Sequence, residues 1–228
     1  MSGDNRAIMR AKRNSKKGGL YTMRFPKAYA GVKKIFTSEI LSLISTILLV
    51  VVAAVAAVNE SGELSSGKDG AIAVIAIVGL IALVLGLIAT ILQLVGLHSA
   101  SKNEGAFKTA FFFALIMLII TAVGGAVATK NEDSIISDIP SLLNIFVFLF
   151  TVSGISNLAR KLGREDMASF GTKILGLQII LSILSFVLQV FKTGSMENVL
   201  SVVAILLTAI VYIIYLIYLA KAKKMLQA

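Results

Sequence analysis

Long apolar runs alternate with short polar segments along most of this chain. After a basic first segment, six runs of about 20 apolar residues follow one another. A helix needs about 20 such residues to cross roughly 30 Å of hydrocarbon, at about 1.5 Å of rise per residue. The pattern therefore predicts six transmembrane helices. The predicted spans are residues 39–58, 71–97, 107–129, 139–158, 171–191 and 199–220.

Similar short segments precede the first, third and fifth apolar runs, and they begin 71 and 63 residues apart. Phe36-Thr37-Ser38, Phe107-Lys108-Thr109 and Phe170-Gly171-Thr172 each come shortly before an apolar run. Because a repeated unit dictates the architecture of a whole chain, it is considered before any single element. We therefore predict an all-α, polytopic integral membrane domain over residues 37–220, in which six transmembrane helices form three helical hairpins.

The segment ahead of the first run is strongly basic. Residues 1–24 carry seven Lys and Arg among small polar residues, which predicts a disordered cytoplasmic tail. In residues 25–36 the apolar side chains fall within an arc of about 120° on a helix. Those side chains are Phe25, Ala28, Tyr29, Val32, Ile35 and Phe36.

This arc predicts a basic amphipathic helix that lies in the membrane interface. Lys27 and Lys34 fall opposite the arc, and Lys33 lies on its flank. Each of these lysines near an anionic surface is worth about 1 kcal/mol, so we expect them to contact anionic lipid headgroups. The alternative is a cytoplasmic extension of the first spanning helix that packs against the loops.

The distribution of charge predicts the orientation. Of the 22 Lys and Arg, 10 precede Phe36, so the net charge of +10 does not indicate nucleic acid as a partner. Segments 59–70 and 130–138 together hold six acids and two bases, whereas 159–170 and the tail 221–228 are rich in Lys and Arg. Basic loops stay cytoplasmic. Both termini are therefore expected inside a cell membrane, most simply a bacterial cytoplasmic membrane.

The residue types needed for most catalytic and metal chemistry are scarce. The chain has no Cys and one His, His98, with Glu104 as the nearest acid in sequence. A zinc site needs several such ligands, so we expect no metal site and no cofactor. The apolar spans also lack paired carboxylates, and we expect no enzymatic activity.

A few polar residues within the spans are candidates for function, because such residues are costly in a membrane. Glu39 and Lys173 each follow the Phe of their unit by three residues, and we predict that they form an ion pair at the cytoplasmic end. The alternative is that each extends separately to the interface. Four residues at spacings of 4, 3 and 4 predict a polar face on the fifth helix: Gln178, Ser182, Ser185 and Gln189.

That polar face either lines a cavity or forms hydrogen bonds between helices. Gln93, Asn144 and Asn157 are interpreted in the same two ways. The three tyrosines near the end of the last run, Tyr212, Tyr215 and Tyr218, predict an aromatic belt at the membrane interface.

Two functional classes remain open. We expect a non-enzymatic multi-pass membrane protein that acts through contacts with lipids or with a membrane protein, a second copy of this chain included. The alternative is a small transporter, or the substrate-binding subunit of one, for an apolar or uncharged molecule. In its length, its six predicted helices and its small-residue pair Ala53 and Ala57, this chain resembles the substrate-binding subunits of energy-coupling-factor vitamin transporters.

Overall fold

The computed structural model describes residues 24–60, 68–127, 139–190 and 197–227. Over these ranges the chain forms six α-helices, and each is long and apolar enough to cross a membrane. The prediction of an all-α chain with six such helices is thereby confirmed. The helices are α1 (Pro26–Glu60), α2 (Lys68–Ser101), α3 (Gly105–Val127), α4 (Ile139–Lys161), α5 (Glu165–Val190) and α6 (Glu197–Gln227).

The helices contact one another in cyclic order. Each helix packs against the next in sequence, α6 returns to pack against α1, and α4 also touches α6. The most extensive of these contacts joins α1 and α2. Consecutive helices that are joined by short turns are neighbours by necessity, whereas the contact between α6 and α1 is a property of the tertiary fold.

The hydrophobic core is concentrated at one end of the bundle. This packed end holds the N-terminus of α1, the turns α2–α3 and α4–α5, and the C-terminus of α6. Its largest fully buried side chains include Tyr218, Phe107, Ile35, Leu97 and Leu158. Towards the opposite ends of the helices, large apolar side chains such as Ile47, Leu80, Ile119 and Leu206 are exposed, as expected of surfaces that face lipid.

Two glycines allow α1 and α2 to approach closely at the packed end. A Cβ placed on Gly31 would lie 2.7 Å from the Cβ of Ala100, and one on Gly96 would lie 2.8 Å from Cγ1 of Ile35. Small residues permit this kind of backbone approach between membrane helices. The close contact holds the first turns of α1 against the last turns of α2.

The two turns at the packed end are fixed by polar contacts. In the α2–α3 turn, Oδ1 of Asn103 accepts a hydrogen bond of 2.8 Å from the backbone N–H of Ala28 and so caps α1. The carboxylate of Glu104 accepts from Asn157 at 3.2 Å and forms an ion pair with Lys161, which ties the same turn to α4.

The end of α4 is fixed by its own backbone. Gly163 has a φ of 71°, in the left-handed region that glycine adopts without strain. The N–H of Arg164 donates to the carbonyl of Ala159, and that of Gly163 donates to the carbonyl of Arg160, each at 2.9 Å. This pair of bonds is a Schellman motif, and it reverses the chain into α5.

The structure does not confirm a separate interfacial helix over residues 25–36. Helix α1 continues from Pro26 to Glu60 without a break, so the arrangement corresponds to the alternative of an extended first helix. The predicted apolar arc is present, but it packs against protein: Ala28, Val32 and Ile35 are at most 1% exposed within the core. The sequence identifies an apolar face and cannot distinguish a lipid partner from a protein partner.

The basic side chains of this segment remain accessible. Lys27 and Lys33 are exposed and Lys34 is half-buried. At the other terminus, residues 221–228 were predicted as a tail, whereas α6 continues to Gln227 and buries Ala222, Met225 and Leu226 in the core. Residues 1–23 of the predicted N-terminal tail lie outside the described residues.

Candidate functional site

A polar cavity of about 410 Å³ lies between the helices. Helices α1, α2, α3, α4 and α6 all contribute to its wall. The polar side chains in its lining include Glu39, Ser42, Thr90, Gln93, Asn144 and Tyr212. A cavity of this size is in the range of small-molecule sites.

A second cavity, of about 160 Å³, shares part of the same wall. Both cavities are lined by Glu39, Gln93, Asn144 and Tyr212. The smaller one adds Gln178 of α5, together with the aromatic rings of Phe148 and Tyr215. Taken together, the linings of the two cavities include residues of all six helices.

The shared residues lie at an intermediate depth in the bundle. Measured along their helices from the packed end, Gln93, Glu39 and Tyr212 are about two to four turns inside. The sequence predicts Glu39 at the cytoplasmic end of the first helix, because the first apolar run begins at this residue. In the structure α1 begins at Pro26, so the same residue lies well inside the bundle.

The carboxylate of Glu39 is held by two neutral donors. The Tyr212 hydroxyl lies 3.0 Å from Oε2 and 2.8 Å from the main-chain carbonyl oxygen of Glu39. The amide of Gln93 donates to Oε1 at 3.5 Å, a long bond. A carboxylate accepts about four hydrogen bonds. The half-buried carboxylate therefore retains acceptor capacity toward the cavity.

Glu39 and Lys173 are not brought together. The ammonium of Lys173 is exposed on α5, and within the described residues Glu39 is bonded to Tyr212 and Gln93 instead. The reason is helical geometry. Lys173 and Gln178 are five positions apart, about 140° around the helix, so a helix that turns Gln178 toward the cavity turns Lys173 away.

The electrostatics of the cavity are one-sided. Among the described residues that line either cavity, none is a lysine, an arginine or a histidine, and Glu39 is the only carboxylate. The other polar groups are hydroxyls and amides. An ionised Glu39 therefore has no positive side chain beside it in this wall.

Of the four residues on the predicted polar face of the fifth helix, two have side chains that the structure describes. Gln178 lines the smaller cavity, while Ser182 donates to the carbonyl of Gln178 in its own helix at 2.9 Å. The side chains of Ser185 and Gln189 lie outside the described residues. Gln93 and Asn144 line both cavities, whereas Asn157 bonds to Glu104 and has a structural part.

Two groups of residues at the cavity, tyrosines and serines, were not predicted from the sequence. Tyr212 was assigned to an aromatic belt, yet its hydroxyl binds Glu39, and Tyr215 packs on Phe148 with 4.6 Å between ring centroids. Ser38 and Ser42 also line the cavity, and Ser45 donates to the carbonyl of Ala82 at 2.7 Å. The signal was available in the spacing of 4 and 3 among these serines, which predicts one polar stripe on α1.

No cluster of three or more His, Cys, Asp and Glu is placed to hold a metal ion within the part of the chain that the structure describes. His98 is exposed, with its ring 5.5 Å from that of Phe111.

Comparison with protein-family models, with curated proteins and with solved structures finds no match to this chain.

Proposed function

We propose that this protein is a non-enzymatic membrane protein that binds a small molecule in the polar cavity, as a transporter or as the substrate-binding subunit of one. The observation that supports this proposal is the position of Glu39, which lines both cavities at an intermediate depth of the bundle. A carboxylate inside a membrane domain is expensive and marks substrate or ion sites.

The geometry around Glu39 favours binding over a purely structural role. Polar residues that only join helices satisfy one another and leave little space between them. Here Gln93 and Tyr212 supply only part of the hydrogen bonds that the Glu39 carboxylate can accept, and about 410 Å³ of space remains beside it. A polar cavity of that size holds water or a ligand. Of the apolar or uncharged ligands that the sequence suggests for a transporter, the polar wall disfavours the apolar ones.

Blocking the cavity should abolish ligand binding. We expect a compound from a library of polar metabolites to raise the thermal unfolding temperature of the purified protein. The effect should be lost in Ser42→Trp, because an indole at this position fills the space that Ser42 lines. Thr46→Trp is the matched control, since Thr46 lies one turn further along α1 and is not part of the cavity wall.

Two outcomes would contradict the proposal. One is a library in which no compound stabilises the protein. The other is a stabilising compound whose effect is equal in wild type, Ser42→Trp and Thr46→Trp.

We also propose that the six helices are three hairpins with both termini cytoplasmic. Leu97, Leu158 and Leu219 are all fully buried at the packed end, and they are equally spaced (158 − 97 = 61 and 219 − 158 = 61). These leucines close the three predicted units in equivalent positions. The excess of Lys and Arg beside the packed end supports placing that end in the cytoplasm.

Cysteine labelling tests this orientation without a background, because the chain has no Cys. We expect Ser66→Cys and Ser134→Cys, both outside the described residues, to react with a membrane-impermeant maleimide in intact cells. Arg160→Cys, an exposed position at the end of α4, should react only after the cells are permeabilised. The reverse pattern would place the packed end outside.

A second candidate function is contact with anionic lipid headgroups. The exposed Lys27 and Lys33 lie at the packed end. An open cleft of about 510 Å³ there is lined by Lys221, Lys224 and an ion pair between Arg164 and Asp166. Basic side chains beside a membrane attract anionic lipids. This contact is compatible with a ligand in the cavity, because the two sites involve different residues.

A further inference from the structure

We infer that the cavity takes a small organic cation, whose ammonium group lies against the carboxylate of Glu39. This inference rests on the proposed function, because it names the chemical class of the molecule that the cavity binds. It concerns charge, whereas the proposed function concerns occupancy. The two can therefore fail separately.

Glu39 has no positively charged side chain beside it in the described walls of the two cavities. An ionised carboxylate away from bulk water needs a partner, either a cation or a proton. The described wall of both cavities offers Glu39 hydroxyl and amide groups but no basic side chain. The donors from Tyr212 and Gln93 leave further acceptor positions on the carboxylate, and an ammonium group is a donor that suits them.

The residues that line the smaller cavity also suit an amine. Phe148, Tyr212 and Tyr215 provide aromatic surface there, next to the side-chain amides of Asn144 and Gln178. Aromatic faces attract ammonium groups through the cation–π interaction, which strengthens when the cation is removed from water. Amide carbonyl oxygens accept from the remaining N–H groups. Carboxylate, aromatic rings and amides together match an amine better than a sugar or an anion.

The volume of the larger cavity suits an organic molecule better than a single inorganic ion. The larger cavity has about 410 Å³, whereas a water molecule occupies about 30 Å³ in the liquid. A single inorganic cation would fill little of this volume. A divalent metal ion would also require more carboxylate or imidazole ligands than the one carboxylate in the described wall. The space therefore favours an organic molecule that carries the charge.

The test compares charged and uncharged ligands of similar shape. Thermal unfolding of the purified protein is followed at constant ionic strength with n-butylammonium and putrescine. The counterparts are 1-butanol, in which an uncharged hydroxyl replaces the ammonium group of n-butylammonium, n-butyrate, and sodium chloride alone. We expect stabilisation by at least one ammonium compound and none by the uncharged, anionic or sodium controls.

Two variants then locate the charge. Glu39→Gln keeps the shape of the side chain and should weaken binding of the stabilising ammonium compound by about tenfold or more, as the loss of a charge-assisted hydrogen bond predicts. The double variant Glu39→Gln/Gln93→Glu moves the carboxylate to the neighbouring residue, which lines the same two cavities. We expect this double variant to regain binding.

The outcomes separate the inference from the proposed function. Loss in Glu39→Gln with recovery in the double variant supports the inference. Equal stabilisation by n-butylammonium and by 1-butanol, unchanged binding in Glu39→Gln, or no recovery in the double variant would overturn it and leave the cavity as a binding site. If no compound of any charge stabilises the protein, the proposed function fails as well.

Discussion

Replacing Gly31 with alanine is expected to force α1 and α2 apart at the packed end and to destabilise the fold by about 1–3 kcal/mol. The added Cβ would lie 2.5 Å from the carbonyl oxygen of Gly96 and 2.7 Å from both the backbone nitrogen and the Cβ of Ala100. Backbone atoms of a helix cannot rotate away as the end of a side chain can. The strain must therefore be relieved by separating the two helices.

The measurement is the thermal unfolding temperature in a mild detergent, with Gly79→Ala as the matched control. Gly79 lies in α2, and a Cβ placed there meets no atom within 4 Å. Because alanine favours a helix over glycine by about 1 kcal/mol, the control should be neutral or slightly more stable. A Gly31→Ala protein as stable as Gly79→Ala would show that the close approach of α1 and α2 is not formed.

The second large effect is expected for Leu158→Ala in α4. Leu158 is fully buried in the core at the packed end, and truncating a buried leucine costs about 2–5 kcal/mol when the surroundings cannot close the space. The neighbouring side chains are held on several helices at once, so little relaxation is expected. The loss should appear as a lower unfolding temperature and as a smaller fraction of monodisperse protein after purification.

Leu142→Ala provides the control in the same helix. Leu142 is 57% exposed, on the part of α4 away from the packed end, so its truncation removes few protein contacts. We expect a change within about 1 kcal/mol, near the usual range for exposed sites. Similar losses in Leu158→Ala and Leu142→Ala would contradict a core concentrated at one end of the bundle.

Both predictions concern the foundation of the cavity. The packed end fixes the spacing of the helices, and the carboxylate of Glu39 lies about three turns from the start of α1. A change at Gly31 therefore also shifts Glu39 relative to Gln93, its partner on α2. Ligand binding should weaken along with stability in Gly31→Ala, whereas Gly79→Ala should bind the ligand as wild type does and be at least as stable.

The sequence predicted the local features of this protein well, because they depend on neighbours along the chain. Runs of apolar residues are sufficient to predict helices that can cross a membrane, and six are present in the described chain. The apolar arc of residues 25–36 was also predicted, since the 3.6-residue period decides which side chains share a face. Gln178 was selected for the same reason.

Contacts between distant segments needed the tertiary structure. Glu39 and Tyr212 are 173 residues apart, and no periodicity relates a residue of α1 to one of α6. The return of α6 onto α1 places the Tyr212 hydroxyl on the carboxylate, and the same rotation of each helix decides that Lys173 faces outward. It also decides that the apolar arc of α1 meets the core instead of lipid.

The sequence alone is enough to predict the six helices, the apolar face of residues 25–36 and a short set of polar residues within the spans. The packing of the helices is needed to show which of these residues share the cavity, and that the described wall around Glu39 has no basic side chain. Helix formation is governed by interactions within a few residues, whereas the lining of a cavity is set by how whole helices rotate and cross when they pack.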